Sequence, residues 1–170
     1  MFGSLERSLA TYRVELFSAD YFMRAQFQPL GELLVFLNDR QREFVRLDEV
    51  ELVSLTAERQ LRAIQREAVS VNKRSVQVVS VPDAAEAERV QVIAAHRPVV
   101  FYFGPLIVRG QLHVNVEALP DDLLDDSRDF YPVSAANIYY MRAAAPQYTR
   151  EVPLLFVNRQ SVQTYHIQPE

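Results

Sequence analysis

Apolar residues recur at every second position through much of this chain, the spacing of half-buried β-strands. The alternation predicts strands over residues 50–55 (VELVSL) and 136–141 (ANIYYM). Residues 106–114 (LIVRGQLHV) are more continuously apolar, with one glycine inside. They predict a strand with a sharp bend or close backbone approach at Gly110. Residues 68–71 with 76–81, and 154–157 with 162–167, predict two hairpins, each closed by Asn-x-x-Ser. Asn tolerates left-handed backbone and Ser bonds locally to the main chain, which suits a turn. Helical spacing is brief. Met1, Phe2, Leu5 and Leu9 predict one amphipathic helix over the first dozen residues, and 33–39 and 119–126 predict helical turns with loops.

Sliding the chain on itself reveals a repeat. Val71-Asn72-Lys73-Arg74-Ser75-Val76-Gln77 returns as Val157-Asn158-Arg159-Gln160-Ser161-Val162-Gln163. The same shift lays Asp39 on Asp125 and Arg42-Glu43-Phe44 on Arg128-Asp129-Phe130. A shift one residue shorter lays Tyr21-Phe22-Met23-Arg24-Ala25-Gln26-Phe27 on Leu106-Ile107-Val108-Arg109-Gly110-Gln111-Leu112. Alternating apolar residues alone would not match Asn, Ser, Gln, Arg and Asp as well. The expectation is a tandem duplication, with a first unit over 1–81, a linker over 82–87 and a second unit over 88–170. The second unit begins near 88 or near 98, depending on which segment pairs with Arg13 to Leu16.

Composition narrows the setting. The 170 residues are 49% hydrophobic and 24% charged, as in an ordinary folded protein. A unit of about 85 residues buries a small core, so two such units are expected to share an interface. A net charge of −4 and a pI near 5.4 argue against nucleic-acid binding by bulk charge. The chain has no cysteine, which removes disulfides, thiolate metal sites and cysteine nucleophiles. No apolar stretch is long enough for a signal peptide core or a membrane span, and a cytoplasmic location is expected.

Val108-Arg109-Gly110-Gln111-Leu112 followed later by Val157-Asn158-Arg159-Gln160-Ser161-Val162 resembles the two motifs of the Sm-like barrels. Each copy of the pattern covers most of its unit, and a generic SH3-like barrel would leave nearly the same trace. The closing turn departs from that family, having Asn158-Arg159, or Asn72-Lys73 in the first copy, in place of Arg-Gly. The family's RNA-contacting Asp and Asn are not recognisable around 119–130. The resemblance implies an all-β protein with minor helix. Its expected form is two tandem small Sm-like or SH3-like barrels with pseudo-twofold symmetry and an N-terminal helix.

The candidate chemistry is sparse. Arg59, Arg62 and Arg66 would share one face of a helix, with Lys73 and Arg74 close behind, a local basic patch able to contact phosphates. No aromatic is interleaved for base stacking. Asp121, Asp122, Asp125, Asp126 and Asp129 form an acidic run without the glycine or ligand spacing of a calcium loop. Opposite charge on the two units would favour pairing of unlike units. His96, His113 and His166 lack metal-site spacing. The residues kept in both units (Asp39 and Asp125, Arg42 and Arg128, Phe44 and Phe130, Asn72 and Asn158, Ser75 and Ser161) suit structural roles in turns and loops. No nucleophile, phosphate-loop or His-Glu metal motif appears. The expectation is a non-catalytic binding or scaffolding module acting through protein contacts or self-association, without metal or cofactor. RNA binding through 59–74 and small-molecule or metal binding are the alternatives.

Overall fold

A computed structural model describes residues 9–56, 63–115, 117–141 and 148–169. Ten strands form one open antiparallel sheet: β1 (Tyr12–Ser18), β2 (Tyr21–Phe27), β3 (Phe44–Ser54), β4 (Ile64–Asn72), β5 (Val76–Val81), β6 (Arg97–Tyr102), β7 (Leu106–Leu112), β8 (Phe130–Tyr140), β9 (Tyr148–Asn158) and β10 (Thr164–Ile167). Their order across the sheet is β10-β6-β7-β8-β9-β5-β1-β2-β3-β4. Among the described residues two short helices accompany them, α1 (Leu33–Asn38) and α2 (Ala84–Glu88). Single 3₁₀ turns cover Lys73–Ser75, Pro120–Asp122 and Arg159–Ser161. No helix among the described residues is long and apolar enough to cross a membrane.

The order of elements in β1–β5 recurs in β6–β10. Each half runs strand, strand, helical turn, long strand, long strand, 3₁₀ turn, strand. β2 against β3 and β7 against β8 carry register shifts at matching places, between Arg24 and Gln26 and between Arg109 and Gln111. Glu49 and Ala135, opposite those bulges, are the non-glycine residues with positive φ among the described residues, at 51° and 46°. A bulge adds one residue to one strand and bends it. At Gly110 a Cβ would lie 2.6 Å from Val133 Cγ1 and 2.9 Å from the Ser134 carbonyl, so the close approach expected there is real. The matching position holds the small, buried Ala25.

Several expectations need correction. The last strands of each half are not hairpins. β4 pairs with β3, β5 with β1 and β9, and β10 with β6. Asn72 and Asn158 have φ of −70° and −81°, not the left-handed backbone a tight hairpin uses. Each caps a 3₁₀ turn instead, accepting from Arg74 N and Gln160 N, and the turn sends the chain across the sheet. A twofold relation makes contacts reciprocal, so β5 on β9 would come with β10 on β4, yet β10 and β4 stand at opposite ends of the sheet. The joint pairs β5 with β9, unlike positions of the two halves, so the halves meet head to tail. β3 and β8 begin earlier than expected, at Phe44 and Phe130. The first strand of the second half starts at Arg97. The proposed linker carries α2, whose first turn is capped by Asp83 Oδ1 accepting from Glu86 N. The N-terminal helix falls mostly on residues 1–8, outside the described residues, and residues 9–12 are not helical.

Two cores lie on the sheet. One is built from the first half, with Phe130, Leu154 and Phe156 contributed by the second. The other is built from the second half, with Phe17 and Val78 contributed by the first. Strands β5 and β9 therefore bury residues on both faces, and burial of this kind is the main force holding the halves together.

Candidate functional site

The joint between the halves brings together apolar pairing, side-chain amides and ion pairs. Val78, Val79, Ser80 and Val81 pair with Val157, Phe156, Leu155 and Leu154, all buried. At one end of these strands, Asn158 is buried and its Nδ2 donates to the Val76 carbonyl at 2.8 Å and the Lys73 carbonyl at 3.3 Å. Asn38, at the end of α1, reaches the other half: its Oδ1 accepts from Asp129 N and Phe130 N, and its Nδ2 donates to the Phe130 carbonyl. Those bonds hold Phe130 where its ring enters the first core beside Leu37, Val76 and Val79. Arg40 forms an ion pair with Asp129 at 3.1 Å. Farther along, Arg150 of β9 bonds the buried carboxylate of Glu15 on β1, which also faces Arg24 Nε at 3.4 Å.

Of the expected basic patch, Arg66, Lys73 and Arg74 are described. Arg59 and Arg62 lie outside the described residues. Arg66 stands on β4, a strand rather than a helix, and donates to the Gln65 carbonyl. Lys73 is buried, and its Nζ donates to the carbonyls of Phe36, Leu37 and Asp39, satisfying the end of α1. Burial lowers its pKa, with Asp39 and Asp129 opposing that shift. Arg74 is exposed, 3.9 Å from Glu43.

The acidic residues divide between two roles. Asp121 and Asp122 are exposed on a 3₁₀ turn. The Asp126 carbonyl accepts from Arg40. Asp125 Oδ1 accepts from Ser127 N at 3.0 Å and from the Tyr131 hydroxyl at 2.7 Å, and also from the Ser127 hydroxyl. The Ser127 bond first, then the Tyr131 bond, hold its pKa below the ordinary 3.8. Burial and the Asp125 bond push the Tyr131 phenol up to about 12. Its counterpart Asp39 makes the same turn, accepting from Gln41 N, and adds an ion pair with Arg42 at 3.3 Å. Arg128 gives its carbonyl to Arg159 Nε. Opposite charges meet across the halves through Arg40 with Asp129 and Arg150 with Glu15.

His113 lies just past β7, its Nδ1 2.6 Å from the Ile93 carbonyl and its Nε2 2.7 Å from Ser134 Oγ, tying a loop to a bulge. Among the described residues, no group of three His, Asp or Glu is placed to hold a metal ion.

The two free ends of the sheet carry the counterparts of the joint, and there they are uncovered. Opposite Leu154, Leu155 and Phe156 in the repeat stand Ala68, Val69 and Ser70 on β4, exposed or half-buried. Opposite Phe130 stands Phe44, 55% exposed where Phe130 is 2%. Asn72 Nδ2 finds no acceptor among the described residues, whereas Asn158 Nδ2 has two. β10, the counterpart of β5, borders an open groove of about 710 Å³ lined by Leu124, Val162, Tyr165 and Ile167 among others. Asn38, Glu15, Arg40 and Arg150 carried no motif, and only the strand order brings them together. No protein-family model, no curated protein and no solved structure matches this chain.

Proposed function

We propose that the protein is a non-catalytic scaffolding module, built by duplication of one small Sm-like or SH3-like barrel unit, that binds other protein chains along the two free edges of its sheet. The observation that carries this reading is the contrast between equivalent positions: the residues that hold the two halves together are matched, at both ends of the sheet, by residues left open. A row of unpaired backbone N–H and C=O groups flanked by apolar side chains is a template for an added strand. Natural edges usually carry charge or proline against such pairing; β4 has Arg66 and Glu67 in its first half, but Ala68 to Asn72 has neither. Burial of Lys73 leaves the 59–74 segment less cationic toward a phosphate backbone than its sequence suggests.

The test compares the wild-type protein with Ser70→Lys and His166→Lys, which place a charge on each edge. Tagged protein recovered from its native cells should retain stoichiometric protein through the edges and release it in the variants. Retention of nucleic acid alone, read from the 260/280 absorbance ratio, or protein retention indifferent to both variants, would overturn the reading in favour of RNA binding or another surface.

A further inference from the structure

The bulge where β7 meets β8 holds a polar pair that neither the joint nor the edges use. His113 Nδ1 lies 2.6 Å from the Ile93 carbonyl, and its Nε2 lies 2.7 Å from Ser134 Oγ. A carbonyl only accepts, so Nδ1 carries the ring proton. In the neutral ring Nε2 is then the acceptor, and the Ser134 hydroxyl donates to it. We infer that Ser134 is a nucleophile with His113 as its base, and that it takes up the acyl group of an activated ester or thioester. This goes beyond edge binding and does not depend on it.

The repeat separates what the fold needs from what this pair adds. In the first half Gln28 stands at the position of His113, and its Nε2 donates to the Leu9 carbonyl just ahead of β1. His113 Nδ1 does the same to the Ile93 carbonyl just ahead of β6. An amide N–H is therefore enough to tie that segment down. The imidazole brings a second nitrogen with the opposite role, and Ser134 faces it where the first half has Asp48. An ionised aspartate only accepts, so it has no proton to give an unprotonated ring nitrogen. The two differences complement each other: histidine supplies the acceptor and serine the hydroxyl.

The backbone on both sides of Ser134 is fixed. At Gly110 a Cβ would lie 2.9 Å from the Ser134 carbonyl, and Ala135 has φ 46°. A hydroxyl set between those constraints keeps its place as a reactant approaches. His113 is 7% exposed, whereas Ser134 is half-buried and Ala135 exposed, so the base is sheltered and the hydroxyl lies near the surface. Gln111 pairs with Ser134 across the strands and shares its face. Gln111 Oε1 accepts from His96 Nδ1 at 3.0 Å, and among the described residues Gln111 Nε2 has no acceptor. That N–H suits the oxygen on which negative charge builds during addition.

In the step itself, Ser134 Oγ bonds to the acyl carbon as its proton passes to His113 Nε2. The bond from that carbon to the leaving oxygen or sulfur breaks, the leaving atom takes the electron pair, and the proton on Nε2 passes to it. Ser134 is left as an ester. His113 is held by a neutral carbonyl where the serine-hydrolase triad has a carboxylate, so its imidazolium is less stabilised. The expected outcome is one acyl group per chain, a modification and not rapid turnover.

The probe is 4-nitrophenyl acetate, added to the purified chain. Competing nucleophiles are few, since the chain has no cysteine and its sole lysine, Lys73, is buried. Release of 4-nitrophenolate should show a burst stoichiometric with the chain, and peptide mass mapping should place the acetyl group on Ser134. Ser134→Ala should abolish the burst. His113→Gln keeps the tie that Gln28 makes in the first half, and should slow acylation by about a hundredfold or more. His113→Gln with Ser134→Asp copies the first half's pair and should fold without reacting. His96→Gln should leave the acetyl group on Ser134. Circular dichroism on each variant separates loss of reaction from loss of fold. An acetyl group absent from Ser134, a burst that survives Ser134→Ala, or a folded His113→Gln variant reacting at the wild-type rate overturns the inference. So does release that depends on His96 and leaves no ester.

Discussion

Asp125 and Tyr131 form a hydrogen-bonded pair whose titration is displaced at both ends of the pH scale. The phenol, raised to about 12 in the folded chain, contributes stability that is fully present below its unfolded value of 10.0. That contribution is lost as pH rises through 12. Asp125, lowered from 3.8, contributes above that value and loses its contribution as pH falls through its depressed folded value. Urea midpoints measured against pH should therefore decline between 10 and 12, and Tyr131→Phe should flatten that limb while weakening the acid one. Gly110 gives a second expectation. Adding a Cβ 2.6 Å from Val133 forces the bulge apart, so Gly110→Ala should cost roughly 1–3 kcal/mol in chemical denaturation. This position was legible in the sequence, because a glycine inside a β-branched run has few other uses. Lys73 was not legible. Its place beside Arg74 suggested an exposed basic patch, and only the folded chain shows its ammonium closing the end of α1.

At the scale of elements, alternation found the strands and the two Asn-x-x-Ser turns, but it assigned the wrong partners. Whether two strands flanking a short turn pair with each other depends on the direction in which the turn releases the chain. A 3₁₀ turn with extended caps releases it sideways. Of the basic spacing of Arg59, Arg62 and Arg66, only Arg66 is described, and it belongs to a strand, where a period of 3.6 has no meaning. The repeated turns offer a paired comparison. Asn158→Ala removes the cap on Gln160 N and the Nδ2 bonds to the Val76 and Lys73 carbonyls, leaving those carbonyls only the Ser161 hydroxyl at 3.5 Å and the Val76 N–H of the turn, and should cost about 2 kcal/mol. Asn72→Ala removes only a cap and should cost about 1 kcal/mol at concentrations where the chain is monomeric. Equal losses measured by urea unfolding would contradict the asymmetry between the two ends of the repeat.

For the molecule as a whole, Phe44 and Phe130 show what a repeated sequence withholds. They match in sequence and differ in burial, because one stands at an internal joint and the other at an edge. Phe130→Ala should cost roughly 3–5 kcal/mol, as for a buried core phenylalanine, and Phe44→Ala within about 0.5 kcal/mol in dilute solution, both read from denaturation midpoints. The seam also orders events during synthesis. β5 leaves the ribosome long before β9, so a first half that folds early shows a bare β5 edge as well as a bare β4 edge. Two nascent first halves could then zip together in place of the native joint. At that stage Glu15 would be driven against Ile64 of the neighbouring nascent chain, which stands opposite Leu52 as Arg150 stands opposite Ile138, with only Arg24 beside it and Arg150 not yet made, a poor exchange for a buried carboxylate. The arginine that later bonds Glu15 arrives on the same strand that closes the edge, so the charge that discourages premature pairing is neutralised by the correct partner when it appears.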